Sequence, residues 1–256
     1  METTVTKPKF PTEMVDLPSK GLLYPKDNPL FSGKLEMKYM SAKEEDILTN
    51  ANYIRQGTVI DKLLHALIVT PINYDDLLIG DKNAILIAAR VLGYGHDYPF
   101  SYKNRQGQDI NTTVDLSKLE NKSVDESLFS AGVNDFAFTL PHSDNQITFK
   151  LLAHGDEKKI ENEIKGLQKI NSNLSYDMTT RLKYMITSIN GDREFKAIRD
   201  FVDNYLIAKD ARSLREYYSK IQPDVNLKFY PEDESYAGEG IDIPISLSFF
   251  WPDSGL

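Results

Sequence analysis

The chain of 256 residues contains no cysteine. That absence removes disulfides, thiolate zinc sites, iron–sulfur clusters and cysteine nucleophiles together, and a reducing compartment is the natural expectation. Basic residues are also in deficit, with 30 Lys and Arg against 38 Asp and Glu, a formal charge of −8. The deficit is spread along the chain: residues 1–100 hold 11 basic and 13 acidic side chains, and residues 101–256 hold 19 and 25. A nucleic-acid binder normally shows a basic stripe, and neither part has one. The longest apolar stretches, 84–89 and 241–251, are short or interrupted, well below the roughly 20 residues of a membrane span. The opening Met1-Glu-Thr-Thr-Val-Thr-Lys7 has no apolar core, so no secretory signal is expected and the protein is expected to stay where it is made. What remains, 41% hydrophobic and 27% charged residues, is the balance of a globular protein able to bury a core.

Residues 1–35 read as an extended arm. Prolines at 8, 11, 18, 25 and 29 remove amide donors and push their predecessors towards extended geometry. Within the arm a strand-like stretch leads to a turn at 19–21 and a second apolar stretch. Residues 36–96 read as helical. Ser41-Ala-Lys-Glu44 has the form of a capping box opening a helix to about Asn50. Residues 58–69 carry an apolar stripe of Val59, Leu63, Leu64, Leu67 and Ile68 that Pro71 closes. Asp81 is the expected cap of a third helix over 82–92, ended at Gly93-Tyr-Gly95.

From 97 to 152 the period changes to two. Tyr98, Phe100 and Tyr102, a glycine turn at 104–108, and 110–116 predict one hairpin; 136–140 and 147–151 predict another. Residues 153–222 return to helix, over 156–167, 177–189 and 193–221, the last breaking near Asp210 as a cap. Residues 223–256 read as closing strands over 225–230 and 241–251. There Ile241, Ile243, Ile245, Leu247 and Phe249 alternate, which buries one face. The fold class expected is therefore α+β: an extended arm, a helical N-terminal part, a small antiparallel β layer, a second helical part and a C-terminal strand.

Chemistry is sparse in this pattern. His65, His96, His142 and His154 lack metal-ligand spacing to one another and read as surface or capping histidines. The close glycine pairs, Gly93-Tyr-Gly95 and Gly238-Glu-Gly240, complete no phosphate-binding pattern, and no Gly-x-Ser-x-Gly elbow stands in the chain. The acidic pairs fall at helix starts, where the macrodipole and solubility account for them. No catalytic residue, cofactor or metal is expected. The aromatics, 11% of the chain, are more informative. Phe249-Phe-Trp251 places three in a row, more than one face of a pleated strand can bury, so either the strand is covered on both faces or it docks on a partner.

The order of motifs is itself distinctive. Leu17-Pro-Ser-Lys-Gly-Leu-Leu-Tyr-Pro25 is followed by Met40-Ser-Ala-Lys-Glu-Glu-Asp-Ile-Leu48 and Ile60-Asp-Lys-Leu-Leu64. Next come Leu77-Leu-Ile-Gly-Asp-Lys-Asn83 and Ala89-Arg-Val-Leu-Gly-Tyr-Gly95. Val114-Asp-Leu116, Leu140-Pro141, Asp210-Ala-Arg-Ser-Leu-Arg215 and a closing Ile243-Pro-Ile-Ser-Leu-Ser-Phe-Phe-Trp-Pro252 complete the series. Over nearly its whole length the chain resembles the baseplate hub proteins of T-even-type contractile-tailed bacteriophages, a family of hub subunits and hub assembly chaperones. Some members carry a cysteine knuckle near the position of Tyr98–Ile110. Here that turn, Asn104-Arg-Gln-Gly-Gln108, has no thiol, and no zinc role carries over.

The resemblance implies a non-enzymatic tail protein acting through protein–protein contacts, in the host cytoplasm during assembly or in the virion baseplate. Its partners would be other hub or tail proteins of the same virus, with neither nucleic acid nor membrane involved. Leu22, Leu23 and Tyr24 would form one partner anchor, and Phe249, Phe250 and Trp251 the other. The competing readings are a tail-associated cell-wall hydrolase and a single-strand nucleic-acid binder using its aromatics.

Overall fold

Strands β1 (Thr12–Asp16) and β2 (Lys34–Lys38) form an antiparallel pair at the start of the computed structural model, which describes residues 10–171, 175–231, 238–245 and 247–250. From residue 10 onward the arm is thus folded onto the body. Between the strands the chain makes a chain of turns, and Leu17, Leu23, Tyr24 and Leu30 are all buried. Gly21 is required there: its φ is +77°, and a β-carbon would lie 2.3 Å from the Phe31 carbonyl oxygen.

Helices α1 (Ala42–Leu48), α2 (Ala51–Gln56) and α3 (Val59–Leu67) follow. At α1 the Glu44 carboxylate accepts from the Ser41 amide at 3.0 Å, the expected half of a capping box; the Ser41 hydroxyl, however, donates to the same carboxylate. The short α2 was not legible, because its one apolar turn is exposed or half-buried and carries no stripe. Helix α4 (Ile79–Tyr94) starts three residues before the expected position, with Leu78 as N-cap; Asp81 lies inside the first turn and caps nothing. Gly95, at φ +82°, ends it as expected.

Strands β3 (Asp97–Lys103) and β4 (Asp109–Asp115) form the predicted hairpin, with Tyr98 and Phe100 turned inward. Strands β5 (Phe136–Thr139) and β6 (Gln146–Phe149) form the second. A third strand, β7 (Ile186–Ile189), joins β6 and corrects the reading of 177–189 as one helix. Helix α6 (Asp177–Met185) stops where the sequence turns to Ile-Thr-Ser-Ile, whose β-branched side chains favour the pleated surface. Helices α5 (His154–Ile170), α7 (Phe195–Asn204) and α8 (Ala208–Ile221) complete the second helical part. Asp210 sits in the first turn of α8, but its carboxylate reaches away and accepts from the His142 amide at 2.9 Å.

The closing segment differs most from expectation. Only two-residue strands form, β8 (Lys228–Phe229) and β9 (Ile241–Asp242), paired antiparallel. Among the described residues of 241–251 the long alternating strand is not present: Pro244 has no amide to give a ladder, and Leu247–Phe250 form a 3₁₀ turn. In a 3₁₀ turn successive side chains step by about 120°, so neighbours need not point to opposite faces. Phe249 and Phe250 are accordingly both fully buried, their rings 5.2 Å apart and nearly perpendicular. The class is α+β. The buried residues of all five sequence stretches belong to one continuous core, from Leu17 to Phe250.

Candidate functional site at the start of helix α4

Five consecutive residues at the start of α4 reach different parts of the chain. Ile79 donates its amide to the Leu152 carbonyl at 3.2 Å, and the His154 amide returns to the Leu77 carbonyl at 2.8 Å. Gly80 lies against the backbone just past the end of α8: a β-carbon there would fall 1.8 Å from the Pro223 carbonyl oxygen, so only glycine fits. Asp81 turns to the arm, Lys82 to α3 and α5, and Asn83 donates to the Asp224 carboxylate at 2.9 Å.

Asp81 is fully buried and, among the described residues, has no cation beside it. One oxygen accepts from the Ser19 amide at 2.9 Å; the other accepts from the Ser19 hydroxyl and the Tyr24 hydroxyl, both at 2.6 Å. Burial pushes the Asp81 carboxyl above its ordinary pKa, and these three donors only partly offset that. The Tyr24 hydroxyl in turn accepts from the Leu78 amide at 3.0 Å, the residue that caps α4. Burial and the Asp81 charge raise the Tyr24 phenol well above its usual value. The motif at 17–25 and the motif at 77–83 are therefore two halves of one buried hydrogen-bonded knot.

Lys82 belongs to a second cluster. Its ammonium donates to Asp61 Oδ1 at 2.9 Å and to His154 Nδ1 at 3.1 Å. An imidazole nitrogen that accepts from an ammonium is unprotonated, so the ring proton sits on Nε2, which lies 3.3 Å from Asp61 Oδ2. The Tyr74 hydroxyl also donates to Asp61 Oδ1, at 3.2 Å. Desolvation alone would raise the Asp61 carboxyl; the hydrogen bonds from His154 and Lys82 and the Lys82 charge overcome it and hold the group far below the ordinary carboxylate range. Tyr74 is buried between two imidazoles, with ring centroids 4.3 Å from His65 and 4.5 Å from His154.

This cluster floors a cleft of about 710 Å³ between α3, α4, α5 and α6, closed at one end by Ile245 and Phe250. Its rim carries Arg181, paired with Glu157 at 2.5 Å and Asp177 at 3.0 Å, and Lys158, paired with Asp75 at 2.9 Å. Each of these charges already has an opposite partner within the chain. Among the described residues no group of three or more His, Asp or Glu side chains is placed to hold a metal ion.

The expected anchors fall differently. Leu23, Tyr24, Phe249 and Phe250 are in the chain's own core and offer no surface; Leu22 is half-buried, and Trp251 lies outside the described residues. Phe249 packs edge-on against Tyr98 at 4.8 Å, and the Tyr98 hydroxyl donates to the Pro244 carbonyl at 3.3 Å. Phe249 and Phe250 therefore fill a space within the molecule. Of the histidines, His65, His96 and His142 are exposed, whereas His154 is buried at the first residue of α5 with Ala153 as the N-cap, which corrects its reading as a surface or capping histidine. Asp61, Lys82 and His154 carried one local signal: Asp61 stands one turn ahead of His65 on the same helix face. His154 and Lys82 are brought there by tertiary structure alone.

Among the described residues no helix is long and apolar enough to cross a membrane. Comparison with family models, with curated proteins and with solved structures finds no match to this chain.

Proposed function

We propose that the chain is a non-enzymatic tail protein of a contractile-tailed bacteriophage, acting in baseplate hub assembly as a structural subunit or an assembly chaperone. The reading is carried by the ordered series of motifs from Leu17 to Pro252 that resembles the hub family. A physical observation supports it. The motif residues with the most chemical potential, Ser19, Tyr24, Asp81 and Lys82, are buried or half-buried and bonded to one another's segments, so they serve to build a shape. A protein with that use of its polar groups works by presenting surfaces to other tail proteins in the host cytoplasm, and in the baseplate if it remains there.

The test is co-expression with the other hub proteins of the same virus. A stable complex on size-exclusion chromatography is expected. Mass spectrometry of mature particles then separates the two roles: presence marks a subunit, and absence with an assembly defect marks a chaperone. Failure to join any hub complex, or turnover of cell-wall material by the purified protein, would overturn the reading.

A further inference from the structure

Strand β1 leaves one edge open. The Tyr39 amide donates to the Pro11 carbonyl at 3.1 Å and the Leu17 amide to the Gly33 carbonyl at 2.9 Å, which sets the ladder parity. Residues 11, 13, 15 and 17 therefore face β2, while Thr12, Met14 and Asp16 turn their N–H and C=O groups the other way. Among the described residues nothing bonds to those outward groups. The far edge of β2 is closed, by contrast: the Val69 amide donates to the Glu36 carbonyl at 2.8 Å, and Ile68 bridges Met37.

Alongside the open edge runs a groove of about 200 Å³ between β1 and α4, lined by Glu13, Met14, Val15, Ala88, Val91 and Leu92. Five of these six are apolar, and Glu13 is the one charged residue among them. Met14 is 56% exposed. Edge strands are commonly guarded by lysine, proline or a bulge, and none of these lies within 12–16. An exposed apolar side chain, an unguarded edge and an adjoining apolar groove are the parts from which strand addition is built.

We propose that the open edge of β1, with the groove between β1 and α4, docks an extended segment of a partner polypeptide that carries an apolar residue with lysine or arginine two positions along. The inference rests on the assembly reading and names the chemistry of the partner. The added strand pairs with the outward groups of Thr12, Met14 and Asp16. Its alternation sends one side chain over Ala88, Val91 and Leu92, and a basic residue two positions along, on the same face, reaches Glu13. Glu13 accepts from the Tyr39 hydroxyl at 3.0 Å and has no ion pair among the described residues, whereas Asp16 is already paired with Lys34 at 3.0 Å, so Glu13 is the acid that a basic side chain meets. Two copies joined through this edge would instead gather both Glu13 and both Asp16 side chains on one ribbon, an arrangement that like charges disfavour.

Met14→Pro isolates the edge. The Met14 amide points away from β2, so proline removes an outward donor and leaves the β1–β2 ladder whole. Leu92→Glu, on the α4 wall of the groove, serves if that variant does not fold. The probe is a synthetic hexapeptide, Val-Thr-Lys-Thr-Val-Thr, which carries valine and lysine on one face, with the same peptide bearing glutamate for lysine as control, titrated against the full chain while amide hydrogen exchange is followed. The lysine peptide is expected to slow exchange at Thr12, Met14 and Asp16 at least tenfold, and either variant to weaken its binding at least tenfold. Unchanged exchange at saturation, or equal protection by the glutamate peptide, would overturn the proposal. A dimer dissolved by Met14→Pro would also overturn it, in favour of a second copy. In the hub co-expression, loss of the complex in the variant alone supports edge docking. Retention in both proteins overturns edge docking and leaves the assembly reading standing; a complex in neither removes both.

Discussion

Tyr24 and Asp81 were read as separate features, an aromatic anchor and a helix cap, and the structure joins them through one hydroxyl. That hydroxyl donates to a buried carboxylate and accepts from a buried amide. Tyr24→Phe removes both bonds with little change in volume. A buried donor left without a partner costs about 1–3 kcal/mol. Chemical denaturation of the variant is expected to show a loss of that size, with an unchanged denaturant slope. Asp61 supplies the pH dependence. Its folded-state pKa lies below its unfolded one, so its contribution to stability is present above the ordinary carboxylate value of about 3.9 and drains away as pH falls below it. Asp61→Asn is therefore expected to melt lower than the parent at pH 7, and the gap is expected to narrow steadily below about pH 4. A gap that is constant with pH would mean that the Lys82 and His154 bonds carry no linkage.

Among the elements, those defined by local rules were the legible ones. The capping box at Ser41, the apolar stripe of Val59, Leu63, Leu64 and Leu67, and the period-two hairpin of Tyr98, Phe100 and Tyr102 all depend on neighbours in sequence. The illegible ones depend on distant partners. Ile186–Ile189 becomes a strand because β6 is there to receive it, and the start of α4 is set by Tyr24 and Leu152. Of the candidate site, the motifs at 17–25 and 77–83 were visible as motifs, but their mutual contact was not. The alternating 241–251 segment misled because alternation in sequence says nothing of whether a ladder partner exists. Its consequence is measurable. Phe249 is fully buried, and Phe-to-Ala changes in such positions cost about 3–5 kcal/mol. Phe249→Ala is expected to lower stability by that amount, and removal of the chain after Ser248 by more. Both effects should appear in the isolated protein with no partner present.

The molecule as a whole has one hydrophobic core to which the arm, both helical parts, the hairpins and the closing segment all contribute. The five stretches legible in composition are therefore not independent units. Heating is expected to give one cooperative transition, with the calorimetric enthalpy equal to the van't Hoff enthalpy and with far- and near-ultraviolet dichroism melting together. Two separated transitions would show that the arm and first helices fold apart from the rest.

The start of α4 also sets an order in time. Helix α4 precedes its partners in the sequence: Gly80 and Asn83 find their neighbours at Pro223 and Asp224, and Ile79 at Leu152. During translation the arm can reach Asp81 as soon as both have left the ribosome. The remaining sides of the junction stay open until Pro223 and Asp224 have emerged. A nascent chain stalled before Pro223 would thus hold its arm and yet lack its final lock, and the native state becomes available only once that segment is out.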